Sequence, residues 1–479
     1  MSFAAPIFLW YFMPVVLLSY WVLPRWTRNG LISVASLLFY MWGAGPYIFL
    51  LLGCIAVNYL AGRAIDSERL ADRREARRAI LVSAIVFDLG ILAVWKYAGF
   101  ASRQIDALSS ALGFGSTSVI ALALPIGISF FTFHHLSYVV DVYRRSRPAQ
   151  RSVVQFVTYI AMFPQLVAGP IVRYHEISEQ LADVARDRMA DFSLGFPRFA
   201  LGLSKKVLVG DTVGPIADAA FATSAGDLTT GTAWLGILAY TVQIYFDFSG
   251  YTDMAIGLGQ MFGFRLPENF DRPYSASSIT DFWRRWHMSL SRWFRDYVYI
   301  PLGGNRGGDV RTYRNLFIVF VLTGFWHGAE WTFLVWGLFH GGLLIIERLV
   351  GYGDATALGL AELAVRRALT LLLVMVGWVF FRSADLGAAL TYLEAMFVPT
   401  TGPVPDAVLA VRSNQRMIVL AAASLVFVMP TNLVLGRLVE RFDGRSAAVF
   451  RTAVMFVGAP YAAIAVAAGT FSPFLYFQF

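Results

Sequence analysis

His327 and His287 are the residues of this 479-residue chain best equipped to move a proton. His327 sits in Leu322-Thr323-Gly324-Phe325-Trp326-His327-Gly328-Ala329-Glu330-Trp331, inside a strongly apolar stretch. His287 lies upstream, in Phe282-Trp283-Arg284-Arg285-Trp286-His287. Imidazole takes and returns a proton near neutral pH. An ionisable group at membrane depth is expensive and by default marks a functional site, facing a protein interior or a water-filled path. Two histidines in aromatic surroundings therefore point to proton-transfer chemistry inside a bilayer. No GxSxG elbow offers a serine nucleophile. The one cysteine, Cys54, stands in an apolar run where packing is the simpler role. A single cysteine makes no internal disulfide and no Cys-based structural metal site. HExxH spacing is absent as well, so no metal or bound cofactor is expected.

The elements that must position these histidines are membrane helices. Of the chain, 57% is hydrophobic and only 15% charged, against about 25% charged in soluble domains. The fold class is therefore all-α and polytopic in the membrane, with 40 Phe, 21 Tyr and 13 Trp for interface belts and helix packing. Spans of about 20 apolar residues are expected near 5–23, 31–43, 46–62, 79–97, 117–140, 153–171, 195–214, 232–250, 368–381, 416–436 and 452–470, with a short pair at 315–326 and 331–346. Several are short or broken by Gly and Pro, giving about ten to twelve helices. No linker or separate soluble domain is evident. Residues 1–479 read as one integral-membrane domain with a catalytic core at about 160–346.

The net charge of +8 does not indicate a nucleic-acid partner, because Lys and Arg in a membrane protein mark cytoplasmic loops. Arg25 and Arg28, the six arginines of 63–78, those of 141–152 and those of 437–451 fit one cytoplasmic side. The N-terminus lacks a basic region and a cleavage site, so the first helix reads as retained. Both termini are then expected outside, which in a bacterial inner membrane is the periplasm. The twelve residues between Arg314 and His327 cover only about 18 Å as helix, short of a hydrocarbon core of about 30 Å. A turn at His327-Gly328-Ala329-Glu330 would lie within the membrane, which requires shelter in protein or a cavity. One long helix through both halves is the alternative.

Three further groups surround this pair in the sequence. Phe282, Trp286, Leu290, Trp293 and Tyr297 recur at helical spacing, with Arg284, Arg285, Arg292 and Arg295 mainly on other faces. Such a helix can lie at the lipid interface; its arginines can also meet the phosphates of a donor. It ends in the Gly-rich loop Tyr299–Gly308, which has neither the GxxxxGK[ST] pattern nor a preceding strand. Asp247 and Asp253 close an apolar span and could orient a histidine, although an ion pair or helix cap is simpler. Of the other histidines, adjacent His134 and His135 make a poor ligand pair and suggest structural hydrogen bonding. His175 reads as solvated, and His340 as a packing residue that could line the same cavity as His327.

Taken in order, Phe163-Pro164-Gln165-Leu166-Val167-Ala168-Gly169-Pro170, Phe248-Ser249-Gly250-Tyr251-Thr252-Asp253-Met254-Ala255-Ile256-Gly257, Asn269-Phe270-Asp271-Arg272-Pro273-Tyr274, Phe282 to Ser291 and Phe325-Trp326-His327-Gly328 resemble the membrane-bound O-acyltransferase (MBOAT) family. The resemblance runs through most of the chain. It is nearest to the AlgI-like branch, which acetylates bacterial exopolysaccharide such as alginate, and the uncharged tail Phe474–Phe479 looks similar too. The DltB branch, which serves D-alanylation of teichoic acid, is a near relative.

The resemblance implies a ring of tilted transmembrane and re-entrant helices around a central catalytic tunnel. It places His327 at the family's near-invariant histidine and His287 at its second active-site position. The expected activity is O-acyl transfer, most simply of acetyl, from a cytoplasmic thioester such as acetyl-CoA to a hydroxyl on the outer side. The acceptor would be a cell-surface polysaccharide or a periplasmic SGNH-like acetyltransferase partner. His327 would be the general base, and His287 would orient or share the proton or polarise the thioester carbonyl. Arg284, Arg285 and Arg292 are candidate donor contacts. Trp283, Trp286, Phe325 and Trp326 would line a water-poor tunnel. D-alanyl transfer from a carrier protein is the alternative within the class. A proton-coupled transporter is the alternative outside it, although no matching halves are visible.

Overall fold

The computed structural model describes residues 2–352, 359–428, 434–441, 443–469 and 475. Most of the 474–479 tail and part of the expected 416–436 span lie outside the described residues. Every regular element among the described residues is a helix. Among the described residues, five helical stretches are long and apolar enough to cross a membrane: Arg25–Ile65, Arg74–Ala111, Trp331–Leu349, Leu360–Arg382 and Arg445–Ala467. Phe8–Val22, Leu386–Phe397 and Asn414–Val428 are shorter apolar helices. Backbone N–H and C=O groups in lipid must be satisfied within the segment, which is why the apolar runs of this chain are helical.

The chain divides into two compact units, one of Met1–Phe196 with Ala255–Pro267 and one of Pro197–Met254 with Glu268–Phe479. In the first unit the expected span at 117–140 is helical only from Ile128 to Tyr143. Its earlier half is irregular between Gly113 and Gly127, both of which have positive φ. The span at 153–171 stops at Ala161, because Met162 leaves the helical conformation (φ −50, ψ 114) and Pro164 follows. Polar side chains tie this unit together. Buried Arg28 donates to the carbonyls of Val184 (2.8 Å) and Arg186 (3.0 Å), and Asn29 to that of Leu181 (2.7 Å).

The second unit contains every feature of the candidate site. The helix ending at Ser204 continues through a π-helical turn, Lys205–Gly210, into Asp211–Phe221. The widened turn brings Lys205 and Lys206 into buried positions. The histidine segment is a helical hairpin of two 19-residue helices, Asp309–His327 and Trp331–Leu349. Gly328 and Glu330 are extended, so the chain turns after His327 and the single long helix is ruled out. The first arm begins at Asp309, not near Arg314. Its length is therefore about 28 Å, more than its apolar portion implies. Asn315 anchors this polar end by donating to the carbonyls of Leu302 (3.2 Å) and Gly304 (3.0 Å). The Gly-rich loop needs its glycines, since Gly303, Gly304, Gly307 and Gly308 all have positive φ.

The hairpin arms meet backbone to backbone. A Cβ on Gly337 would lie 2.4 Å from the Phe320 carbonyl oxygen, and one on Gly324 would lie 2.5 Å from that of Phe333. Close approach through small residues is how helices pack where lipid gives no hydrophobic drive.

One expectation fails here. Residues 280–299 are not a single amphipathic helix at the lipid surface. They form two short helices, Ile279–Arg285 and Met288–Phe294, broken by extended Trp286 and left-handed His287. Phe282, Trp286, Leu290 and Trp293 are buried in protein. Helical periodicity records which side chains share an apolar environment, and two short helices across a kink can satisfy the same pattern.

Candidate active site

His287 is held by its backbone and by its ring. It caps the helix Met288–Phe294 with φ 46 and ψ 52, a conformation that costs a β-carbon residue roughly 1–2 kcal/mol. Strain of this kind collects at functional sites. The segment starting at Asn269 fixes the position. The Asn269 backbone carbonyl accepts from Met288 N–H at 3.0 Å. Its side-chain Oδ1 accepts from Ser289 N–H at 3.1 Å and from Ser289 Oγ–H at 2.8 Å. The same Oδ1 lies 3.2 Å from His287 Nδ1. The imidazole meets Phe248 edge-on at 4.8 Å between ring centres, and Trp326 at 6.1 Å.

His327 is the last residue of the first hairpin arm and is buried. Its ring lies against Trp326 (4.8 Å), Trp336 (5.0 Å) and Phe381 (5.1 Å), all edge-on. Trp326 thus touches both histidines. Trp336 also meets the ring of His340, at 5.2 Å. His340 is fully buried and also meets Trp283 at 5.3 Å. Trp286 packs on Trp378 and Phe270 behind this layer, and Phe325 is half-buried. The arrangement is an aromatic enclosure with imidazoles as its polar groups. It can exclude water while a proton moves.

The carboxylates take other work. Asp253 binds Arg198 Nε at 2.7 Å and Lys205 Nζ at 2.6 Å. Arg198 also binds Glu268 (2.8 Å) and Glu440 (2.9 Å), which makes it the centre of a buried ion cluster. Asp247 lies 3.9 Å from Lys206 Nζ and accepts from Leu475 N–H at 2.9 Å; Lys206 also pairs with Asp211. The polar atom facing His287 Nδ1 is therefore Asn269 Oδ1. Asn269 is the first residue of the Asn-Phe-Asp-Arg-Pro-Tyr motif, but in the sequence a neutral amide stands out less as an orienting group than a carboxylate does. Trp336 and Phe381 were also missed, and nothing in their spacing sets them apart from other membrane aromatics.

The three arginines do not converge. Arg285 pairs with Asp281 at 2.8 Å. Arg292 donates to the Glu268 carbonyl at 2.8 Å. Arg284 is exposed and lines an open cavity of about 410 Å³ with Arg348, Thr280 and Tyr352. In the first unit, His134 and His135 are buried against Tyr159 and Phe131. His175, expected to be solvated, is instead paired through Nδ1 with Asp141 at 2.9 Å.

Residues 91–354, which hold Asn269, His287, His327 and His340, match the model of MBOAT, the membrane-bound O-acyltransferase family. The chain belongs to this family. It is similar to the probable alginate O-acetylase AlgI of Pseudomonas syringae pv. tomato, with 46% identity over 83% of this chain and 75% of that one. The peptidoglycan O-acetyltransferase of Helicobacter pylori is 35% identical over 82% of this chain and 79% of its own length. The teichoic acid D-alanyltransferase of Bacillus subtilis is 29% identical, over 46% of this chain and 58% of its own. As a membrane-bound O-acyltransferase the chain is an enzyme of acyl transfer, and the transporter reading falls away.

Proposed function

We propose that this O-acyltransferase moves an acetyl group from a cytoplasmic thioester, acetyl-CoA or its equivalent, to a hydroxyl outside the membrane. The acceptor is a cell-surface polysaccharide or a periplasmic SGNH-like acetyltransferase that completes the transfer. The membrane is the bacterial inner membrane, with both termini periplasmic. The observation that carries the reading is the pair of buried imidazoles that both meet the Trp326 ring, in a chain similar over most of its length to two kinds of O-acetyl-transferring protein.

The step balances without a covalent enzyme intermediate. The acceptor hydroxyl oxygen attacks the thioester carbonyl carbon while His327 takes its proton. The tetrahedral intermediate collapses with cleavage of the C–S bond, and the imidazolium gives its proton to the departing sulfur, which leaves as thiol and restores neutral His327. General-base assistance of this kind contributes about 10²–10⁴ in rate. His287 orients or shares that proton. The aromatic enclosure of Trp283, Trp286, Phe325, Trp326, Trp336 and Phe381 keeps water from competing for the thioester. Arg284 meets an anionic part of the donor at its cavity, with Arg348 beside it. Asp247 and Asp253, given their cation partners, stabilise the helices that frame the site.

The test is transfer from labelled acetyl-CoA in membranes carrying the wild type or His327→Ala at equal protein level. Label on polymer or a partner protein with the wild type alone supports the reading. Equal label in both removes His327 as the base. No label from acetyl-CoA, together with label from a D-alanyl carrier protein, would move the chain to the D-alanyl transfer suggested by its more distant relatives.

A further inference from the structure

We infer that Asn269 fixes the tautomer of His287, protonated on Nδ1 and bare on Nε2, and so makes His287 a proton acceptor and not a group that polarises the thioester carbonyl. The inference rests on the proposal that His287 serves the transfer.

The backbone fixes the position of one hydrogen beside Asn269. Ser289 N–H is a backbone donor and can only donate. It points at the Asn269 side-chain amide at 3.1 Å, so the amide atom there must be the oxygen. Turning the amide over would set an NH₂ group against that N–H, with the Ser289 hydroxyl also to be re-aimed. Oδ1 is therefore an acceptor, and it lies 3.2 Å from His287 Nδ1. A bare nitrogen at Nδ1 would set two lone pairs against each other in a fully buried place, where an unmade polar contact costs most. Nδ1 consequently carries hydrogen. A neutral imidazole with hydrogen on one nitrogen has its lone pair on the other, so Nε2 is basic. A bare Nε2 can take a proton from the acceptor hydroxyl or from the imidazolium of His327. It cannot donate to a carbonyl oxygen until it has done so.

The backbone makes the device stiff. Asn269 holds two of the N–H groups that open the helix Met288–Phe294, one through its main-chain carbonyl and one through Oδ1. Those N–H groups have no partner within their own helix. The left-handed backbone of His287 turns its side chain back toward the same oxygen. Asn269 is thus a positioning residue for the histidine.

The ionisable groups on the surrounding elements are already engaged. Asp253 and Glu268 are held by Arg198, Asp271 by Arg272 (2.8 Å), Arg285 by Asp281, and Asp247 by Lys206; Arg292 donates to the Glu268 carbonyl. His327 and His287 both meet the Trp326 ring. A carboxylate introduced at position 269 would face His287 Nδ1 directly, with the Arg292 guanidinium as its neighbouring cation.

Two measurements test this. The first is solid-state NMR of the wild-type protein with ¹⁵N-labelled histidine, the His287 signal being the one lost in His287→Ala. A protonated Nδ1 and bare Nε2 are expected, and hydrogen on Nε2 overturns the inference. The second is acetyl transfer against pH for Asn269→Ala, Asn269→Asp and His287→Ala. Loss of orientation in Asn269→Ala should lower the maximal rate about 10²-fold with the donor KM little changed. Asn269→Asp keeps an acceptor for both N–H groups, so it should recover at least tenfold over Ala. It should also shift the acid limb of the profile to higher pH, because an adjacent carboxylate favours imidazolium. An Asp variant no better than Ala, with the acid limb unmoved, overturns the assignment and leaves Asn269 a helix cap. Wild-type transfer by His287→Ala would instead overturn the underlying role of His287. An inactive His287→Ala beside a fully active Asn269→Ala would remove the tautomer control alone.

Discussion

Adding one methyl group at Gly337 should damage both the fold and the reaction, and the same methyl five residues on, at Gly342, should do neither. At Gly337 the new Cβ would sit 2.4 Å from the Phe320 carbonyl oxygen and 3.2 Å from Gly324 Cα, both backbone atoms that no rotamer change can move. A carbon–oxygen contact is comfortable at about 3.3–3.6 Å. The hairpin arms must therefore part by about 1 Å. Overpacking on this scale costs about 1–3 kcal/mol. The parting occurs in the hairpin that carries His327 at its turn. A displacement of about 1 Å in a catalytic group can cost about 10² in rate. At Gly342 nothing lies within 4 Å of the added Cβ. Alanine there should be neutral or should stabilise by up to about 1 kcal/mol through helix propensity. The assay is thermal unfolding of the detergent-purified variants beside acetyl transfer at equal protein. The reasoning fails if the two variants match each other in both readouts. It also fails if Gly337→Ala unfolds early but transfers at the wild-type rate per folded molecule.

Three further outcomes follow from the same geometry. Arg198→Ala would leave Asp253, Glu268 and Glu440 without their shared guanidinium, a loss of about 3–5 kcal/mol for a buried network, measured by thermal unfolding; Arg198→Lys should recover only part of it. Arg284→Ala should raise the donor KM with little change in the maximal rate, since the side chain lines a cavity apart from the histidine rings; steady-state kinetics against donor concentration would read this. Asn315→Ala removes its two N–H donations to the Leu302 and Gly304 carbonyls, leaving Arg314 on that of Leu302, which should cost about 1–3 kcal/mol and open the Gly-rich loop to proteolysis before the rest of the chain.

Composition and pattern alone indicated the helical membrane class, singled out His287 and His327 as candidates and raised a break after His327, which the hairpin then decided. Each depends on local chemistry. Apolar runs in lipid have to be helical, imidazoles among apolar residues are costly, and His327-Gly328-Ala329-Glu330 interrupts an apolar pattern. The motif order also carried the resemblance to the O-acyltransferase family, which the match over residues 91–354 then established. What the sequence left undecided are pairings between residues far apart in the chain. For Asp253 an ion pair was the simpler expectation, without its partner, and the approach of Arg198 and Lys205 supplied the cations. The periodic aromatics of 282–297 suggested one helix, but the contacts of Asn269 with Met288 and Ser289 favour a kink that no local propensity predicts. That kink turns His287 toward Asn269 and brings it against the Trp326 ring. A partner for a buried imidazole is chosen by distance in space, and only the packed helices set that distance.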